Sequence, residues 1–190
     1  MSHVKALEVL ILDGGVLTEW LACRYEATDK SWRFGRFQKH ALRTPTDVAS
    51  FEKLLERYPN RLPDMTQPME VHAELSDVYM SAYAIAEVQR HARDTENKKR
   101  PESRRAFWTC VDVALEKLII HERHLPWLRL DRSLVVDFGP ADASLIALAQ
   151  ELTSEGARPC IATMDRGLRL RCAHLQVTAR DVYELMNPDA

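Results

Sequence analysis

The sequence predicts an α/β protein in which a central parallel β-sheet is flanked by helices in three layers. Three observations predict it. Short runs at 9–12 and 159–163, apolar almost throughout, lack the polar alternation of a half-exposed strand, as expected of strands covered on both faces. The C-terminal third reads strand, helix, strand, helix, strand, an alternation that implies right-handed crossovers and parallel pairing. Acids close two of the runs: Asp13 ends Val-Leu-Ile-Leu, and Asp165 follows Pro-Cys-Ile-Ala-Thr-Met. Open parallel sheets bind ligands just beyond the carboxyl ends of their strands, where both acids would lie.

Taken in order, Ala6 to Leu12 reads as the first strand, and Leu17 to Ala22 as a short helix after the Gly14-Gly15 turn. From Cys23 to Thr44 the periodicity fades, and six Lys/Arg residues interleave with Tyr25, Trp32, Phe34 and Phe37. That mix suits base stacking and phosphate neutralisation, and equally suits a surface loop pinned by its aromatics. Thr46 or Asp47 caps a helix running to about Tyr58, which Pro59 ends because proline offers no backbone N–H. A long helix is then expected after Pro68, since Val71, Leu75, Val78, Ala82 and Ile85 or Ala86 recur at helical spacing. Glu74 falls on that stripe, where a charge is costly unless paired or metal-bound; an equal reading sets it at the edge of the stripe, paired with an arginine or reaching water.

Between Arg90 and Arg105 there are seven Lys/Arg against three acids, and Pro101 suits the first turn of a further helix. An αα-hairpin with a basic tip is the expected result. Such a tip can hold a polyanion by its phosphates, or simply be a solvated loop. His121 and His124 lack a matching pair of zinc ligands and read as surface or helix-end histidines. Leu134 to Asp137 reads as a short strand, and Pro140 opens a helix whose buried face is Leu145, Leu148, Ala149 and Leu152. Asp142 shares that face and also sits near the helix N-terminus, where the dipole favours a negative charge. Gly156 ends this helix, Pro159 to Thr163 forms a strand, and Leu168 to Cys172 a short helix. Leu175 to Thr178 reads as the last strand and Asp181 to Met186 as a terminal helical turn.

Composition sets the outer bounds. At 190 residues and 46% apolar content, the chain is expected to form one domain, 1–190, with elaborations at 23–60 and 88–130. A net charge of −2 announces no global field for nucleic acid, so any basic footprint is local. The four cysteines show no CxxC spacing and read as reduced thiols. No secretory signal pattern and no apolar run of 18 residues is present, which leads us to expect a cytoplasmic protein with no membrane partner. Walker, Gly-x-Gly-x-x-Gly and Gly-x-Ser-x-Gly patterns are also missing.

Four stretches together resemble the ordered motifs of the PIN-domain ribonucleases: Val-Leu-Ile-Leu-Asp, Pro-Met-Glu-Val-His-Ala-Glu-Leu, Gly-Pro-Ala-Asp-Ala-Ser-Leu-Ile-Ala-Leu-Ala and Ile-Ala-Thr-Met-Asp-Arg-Gly-Leu. The resemblance implies a PIN-like sheet carrying an inserted basic hairpin. It also implies an acidic quartet of Asp13, Glu74, Asp142 and Asp165 that binds Mg²⁺ or Mn²⁺ and hydrolyses RNA phosphodiesters. Oxygen ligands without histidine agree with those hard cations rather than zinc. Lys98, Lys99, Arg100, Arg166 and Arg169 are the candidate RNA contacts. The longer insertions resemble the small protein-only RNase P relatives, so a structured RNA such as tRNA is an expected substrate. Toxin members of the family add an antitoxin as a possible protein inhibitor, and a homodimer is a further expectation. One departure bears on activity: where the family carries a hydroxyl or amide residue after the first acid, this chain has Gly14 and Gly15. That departure supports the alternative of a weak or inactive PIN-like binding or scaffold protein.

Overall fold

A computed structural model of the chain describes residues 8–20, 45–58, 78–96, 109 and 121–187. Its strands are β1 (Glu8–Leu12), β2 (Val78–Ser81), β3 (His121–Arg123), β4 (Arg158–Thr163) and β5 (Ala179–Asp181). Its helices are α1 (residues 14–20), α2 (Pro45–Glu56), α3 (Ala82–Glu96), α4 (Arg132–Ser154), α5 (Arg166–His174) and α6 (Val182–Met186). The five strands form one sheet in the order β3-β2-β1-β4-β5, every pair parallel.

Burial explains the layering. Successive strand residues point to opposite faces, yet Val9, Leu10, Ile11 and Leu12 are all fully buried, as is nearly all of β2. Both faces of the sheet centre are therefore covered, in agreement with the expected α/β architecture. The strand order reverses between β1 and β4, because the chain moves outward one way through β2 and β3 and the other way through β5. This makes the β1/β4 boundary the topological switch point, where the turns leaving adjacent strands part and leave a crevice.

Three expected elements differ. Val78 to Ser81 is a strand, and the helix begins only at Ala82. A four-residue strand buried on both faces shows an unbroken apolar run that also matches a helical stripe, so periodicity alone does not separate the two. Leu134 to Asp137 is helical, within α4, because Asp131 caps it by accepting from the Ser133 and Leu134 N–H groups at 2.8 and 3.4 Å. The last strand is Ala179–Asp181, displaced from the expected Leu175 to Thr178. Those residues instead close α5 by a Schellman motif, in which the Val177 N–H reaches the Cys172 carbonyl and Gln176 takes a positive φ of 57°. Glutamine at that position carries none of the glycine signal by which such endings are read from sequence.

His121 lies in β3 and His124 just beyond it, so they share no helical face. Cys160 and Cys172 are free thiols, and burial pushes each up to about 11. No helix among the described residues is long and apolar enough to cross a membrane. The basic stretch at 23–44 and the tip of the proposed hairpin lie outside the described residues.

Candidate active site

The carboxyl edge of the sheet is polar where the strands behind it are not. Leu12 pairs with Ala162, so the next step brings Asp13 alongside Thr163, and the Asp13 N–H donates to the Ala162 carbonyl at 3.1 Å. The Thr163 hydroxyl, fully buried, donates to Asp13 Oδ2 at 2.6 Å. It also accepts from the Asp165 N–H at 3.0 Å, so one hydroxyl ties together the turns that carry both acids. The Gly15 N–H donates to the other Asp13 oxygen at 3.1 Å. Asp13 is only 8% exposed. Burial pushes its pKa up, the Thr163 and Gly15 hydrogen bonds pull it down, Glu87 and Asp165 push it up again, and the net direction is upward.

Asp142 reaches the same place from α4. That helix breaks at Gly139, whose φ of 84° and ψ of 168° fall in a region essentially restricted to glycine. Pro140 then starts a fresh helical segment, at the position where a missing N–H costs nothing. The half-buried Asp142 carboxyl is raised to about 7, first by burial and then by repulsion from Asp13, Asp165 and Glu87. Asp165 caps α5, its Oδ1 accepting from the Gly167 and Leu168 N–H groups, so it serves as an N-cap and an acid of the site at once.

These acids line one cleft of about 640 Å³ together with Glu19, Glu87 and Arg90, and with Tyr83 and Phe138 among its apolar walls. Glu87 was not among the expected acids. Tyr83, Glu87 and Arg90 follow one another at helical spacing on α3, which turns all three toward the cleft. Arg90 pairs with Glu87 at 3.0 Å. The expected helical stripe runs through Val78 to Ser81, which is a strand, so the spacing that sets Glu87 on the cleft belongs to a helix starting at Ala82.

The structure thus brings Asp13, Asp142 and Asp165 together. Glu74, Lys98, Lys99 and Arg100 lie outside the described residues. Arg166 is exposed at the first turn of α5, and Arg169 forms an ion pair with Asp181. Asp137 is exposed on α4, away from the cleft lining. Among the described residues, no three Asp, Glu, His or Cys side chains close into a metal-holding group as they stand. The donor set of the cleft is nonetheless all carboxylate oxygen, and its mutual repulsion is the electrostatic condition that a hard divalent cation relieves.

Of the Gly14-Gly15 pair, Gly14 has a steric reason. A Cβ on Gly14 would stand 2.9 Å from the Ala84 carbonyl oxygen, so the start of α1 approaches α3 too closely for a side chain. The hydroxyl that supports Asp13 comes from Thr163 on the neighbouring strand instead. Replacing Thr163 by valine removes that donor from the buried Asp13 carboxyl and is expected to cost about 1.5–3 kcal/mol wherever that carboxyl is ionised. The hydroxyl favours the ionised carboxylate, so the loss shrinks at pH values below the raised pKa of Asp13. Urea unfolding at neutral and acid pH checks this, and an equal loss at both would refute it.

Comparison with protein-family models gives no match, and comparison with curated proteins and with solved structures gives none either. The geometry of the cleft itself therefore carries the functional reading.

Proposed function

We propose that the protein is a divalent-metal-dependent ribonuclease of the PIN-domain type, hydrolysing RNA phosphodiesters in the cleft at the β1/β4 switch point. One observation carries the reading: acids just beyond β1 and β4 and on α3 and α4 share a single cleft, where burial and then the neighbouring carboxylates push up the pKa of Asp13 and displace that of Asp142 to about 7. A fold gains nothing in stability from such repulsion, and strongly perturbed acids in a cleft are the mark of a site built for chemistry.

Asp13, Asp142, Asp165 and Glu87 are the residues that would hold Mg²⁺ or Mn²⁺. When bound, the cation would activate water for in-line attack and neutralise charge on the phosphate. The chain's own residues set the conditions. Thr163 and the Gly15 N–H hold Asp13 in one orientation, and the α5 cap holds Asp165. Arg90 brings a cation to the cleft lining beside Glu87.

A weak or inactive binding role was suggested by Gly14-Gly15. Support for it is reduced by the Ala84 contact and by the hydroxyl of Thr163. Incubating the purified protein with total RNA, in Mn²⁺ and in chelator, tests the proposal. Cation-dependent cleavage leaving 5′-phosphate ends is expected. No cleavage in any cation, with a melting temperature indifferent to millimolar Mn²⁺, would overturn it.

A further inference from the structure

A short 3₁₀ turn follows β3 at Trp127–Arg129, and none of its residues is buried. Trp127 is 53% exposed and Leu128 87%. Solvent-facing apolar residues are unremarkable singly, but this ring has a particular neighbour. It rests against Tyr83, with ring centroids 6.3 Å apart and planes inclined at 49°, and Tyr83 lines the acidic cleft. The two rings thus make a continuous aromatic step from the cleft wall to the protein surface. Phe138 adds another ring to the cleft lining, with the Arg171 guanidinium 5.9 Å from its centroid.

We propose that Trp127, backed by Tyr83, is a stacking platform for an unpaired base of an RNA strand that leaves the acidic cleft across this step. This rests on the ribonuclease reading and adds a subsite to it. A base inside a duplex has both faces covered by its neighbours, so a single exposed indole selects strands that are unpaired at this point. Stacking on an aromatic face is tolerant of base identity, because every base presents a π-face. The platform therefore selects for single-strandedness rather than for sequence. A nucleic acid is the occupant because Tyr83, the ring behind Trp127, lines the same cleft as the acids to which the ribonuclease reading assigns metal and phosphate.

The test compares Trp127→Ala, Trp127→Phe and Trp127 proteins, each in an Asp142→Asn background that spares the strand, by fluorescence anisotropy in Mg²⁺. The probes are a short single-stranded RNA and the same strand made abasic. Trp127→Ala is expected to weaken binding of the intact strand about tenfold, the scale of one lost base stack. Trp127→Phe recovers most of that loss, and the abasic strand binds all three proteins alike. No residue of the turn is buried, so closely similar thermal melts are expected for the three proteins. Equal affinity of all three for the intact strand, or an equal loss for the abasic strand, would overturn the proposal. In the first case the turn would be left as a surface for a protein partner. The two readings separate cleanly. Base-dependent binding without RNA cleavage by the wild-type protein retains the platform and removes the nuclease, while cleavage with no Trp127 effect does the reverse.

Discussion

Replacing Asp142 by asparagine is expected to reduce RNA cleavage by about a thousandfold or more, and at the same time to make the metal-free protein more stable at neutral pH. The first effect follows from the several kcal/mol of charge stabilisation that a cation supplies to phosphoryl chemistry, at about 1.4 kcal/mol per tenfold in rate. The second follows from the pKa. Asp142 is raised from 3.8 to about 7 in the folded state, so between those values the folded protein holds a proton that the unfolded chain has released. Stability therefore falls as pH rises from about 4 to about 7 and levels off beyond it. After allowance for solvent screening, the penalty is about 1–2 kcal/mol, or roughly 2–8 °C in melting temperature for a chain of this size. Asparagine has no charge to withhold, so its melting curve should lose that slope. Thermal melts across this range in chelator, beside a cleavage assay in Mn²⁺, measure both effects. A variant that cuts as fast as the wild type, or that keeps the same pH slope, would refute the expectation.

Trp20→Ala is expected to have the largest effect on stability, about 3–5 kcal/mol. Trp20 is fully buried at the far end of α1 and packs against Phe51 of α2, with ring centroids 6.1 Å apart. Removing it opens a cavity between two helices and leaves Phe51 without its aromatic neighbour. Trp20→Phe should recover a good part of the loss. Because α1 begins directly after Asp13, loosening its far end tilts the turn that holds the acid, so cleavage by the folded fraction should fall as well. Urea unfolding reads the stability change, and an unchanged slope with denaturant confirms that the unfolded state is not what moved. A midpoint close to that of the wild type would refute the packing argument.

The sequence made the sheet ends legible where local chemistry and tertiary role coincide. Asp13 and Asp165 stand at the ends of buried runs, and no half-exposed strand would produce that pattern. Asp142 follows a Gly-Pro pair, which suits the opening of a helix, so its place at the start of a buried segment could be read directly. What stayed hidden depended on contacts between distant segments. Glu87 is meaningful only once β2 is known to stop at Ser81, and the short run Val-Tyr-Met-Ser carries no sign of where a strand gives way to a helix. Thr163 is an ordinary strand residue until the β1/β4 register sets it beside Asp13. Gly14 suggested missing chemistry because the approach of Ala84 cannot be seen in one dimension.

Gly139 divides α4 into two segments whose rotational settings are independent. In an unbroken helix each added residue turns everything beyond it by about 100°, so a single insertion ahead of the acid would swing it out of the cleft. The joint at Gly139 absorbs such a change. Residues up to Phe138 can be lengthened or re-aimed, altering the cleft wall, while Asp142 keeps its bearing from Pro140 onward. The cleft wall at Phe138 and the bearing of Asp142 can therefore change separately.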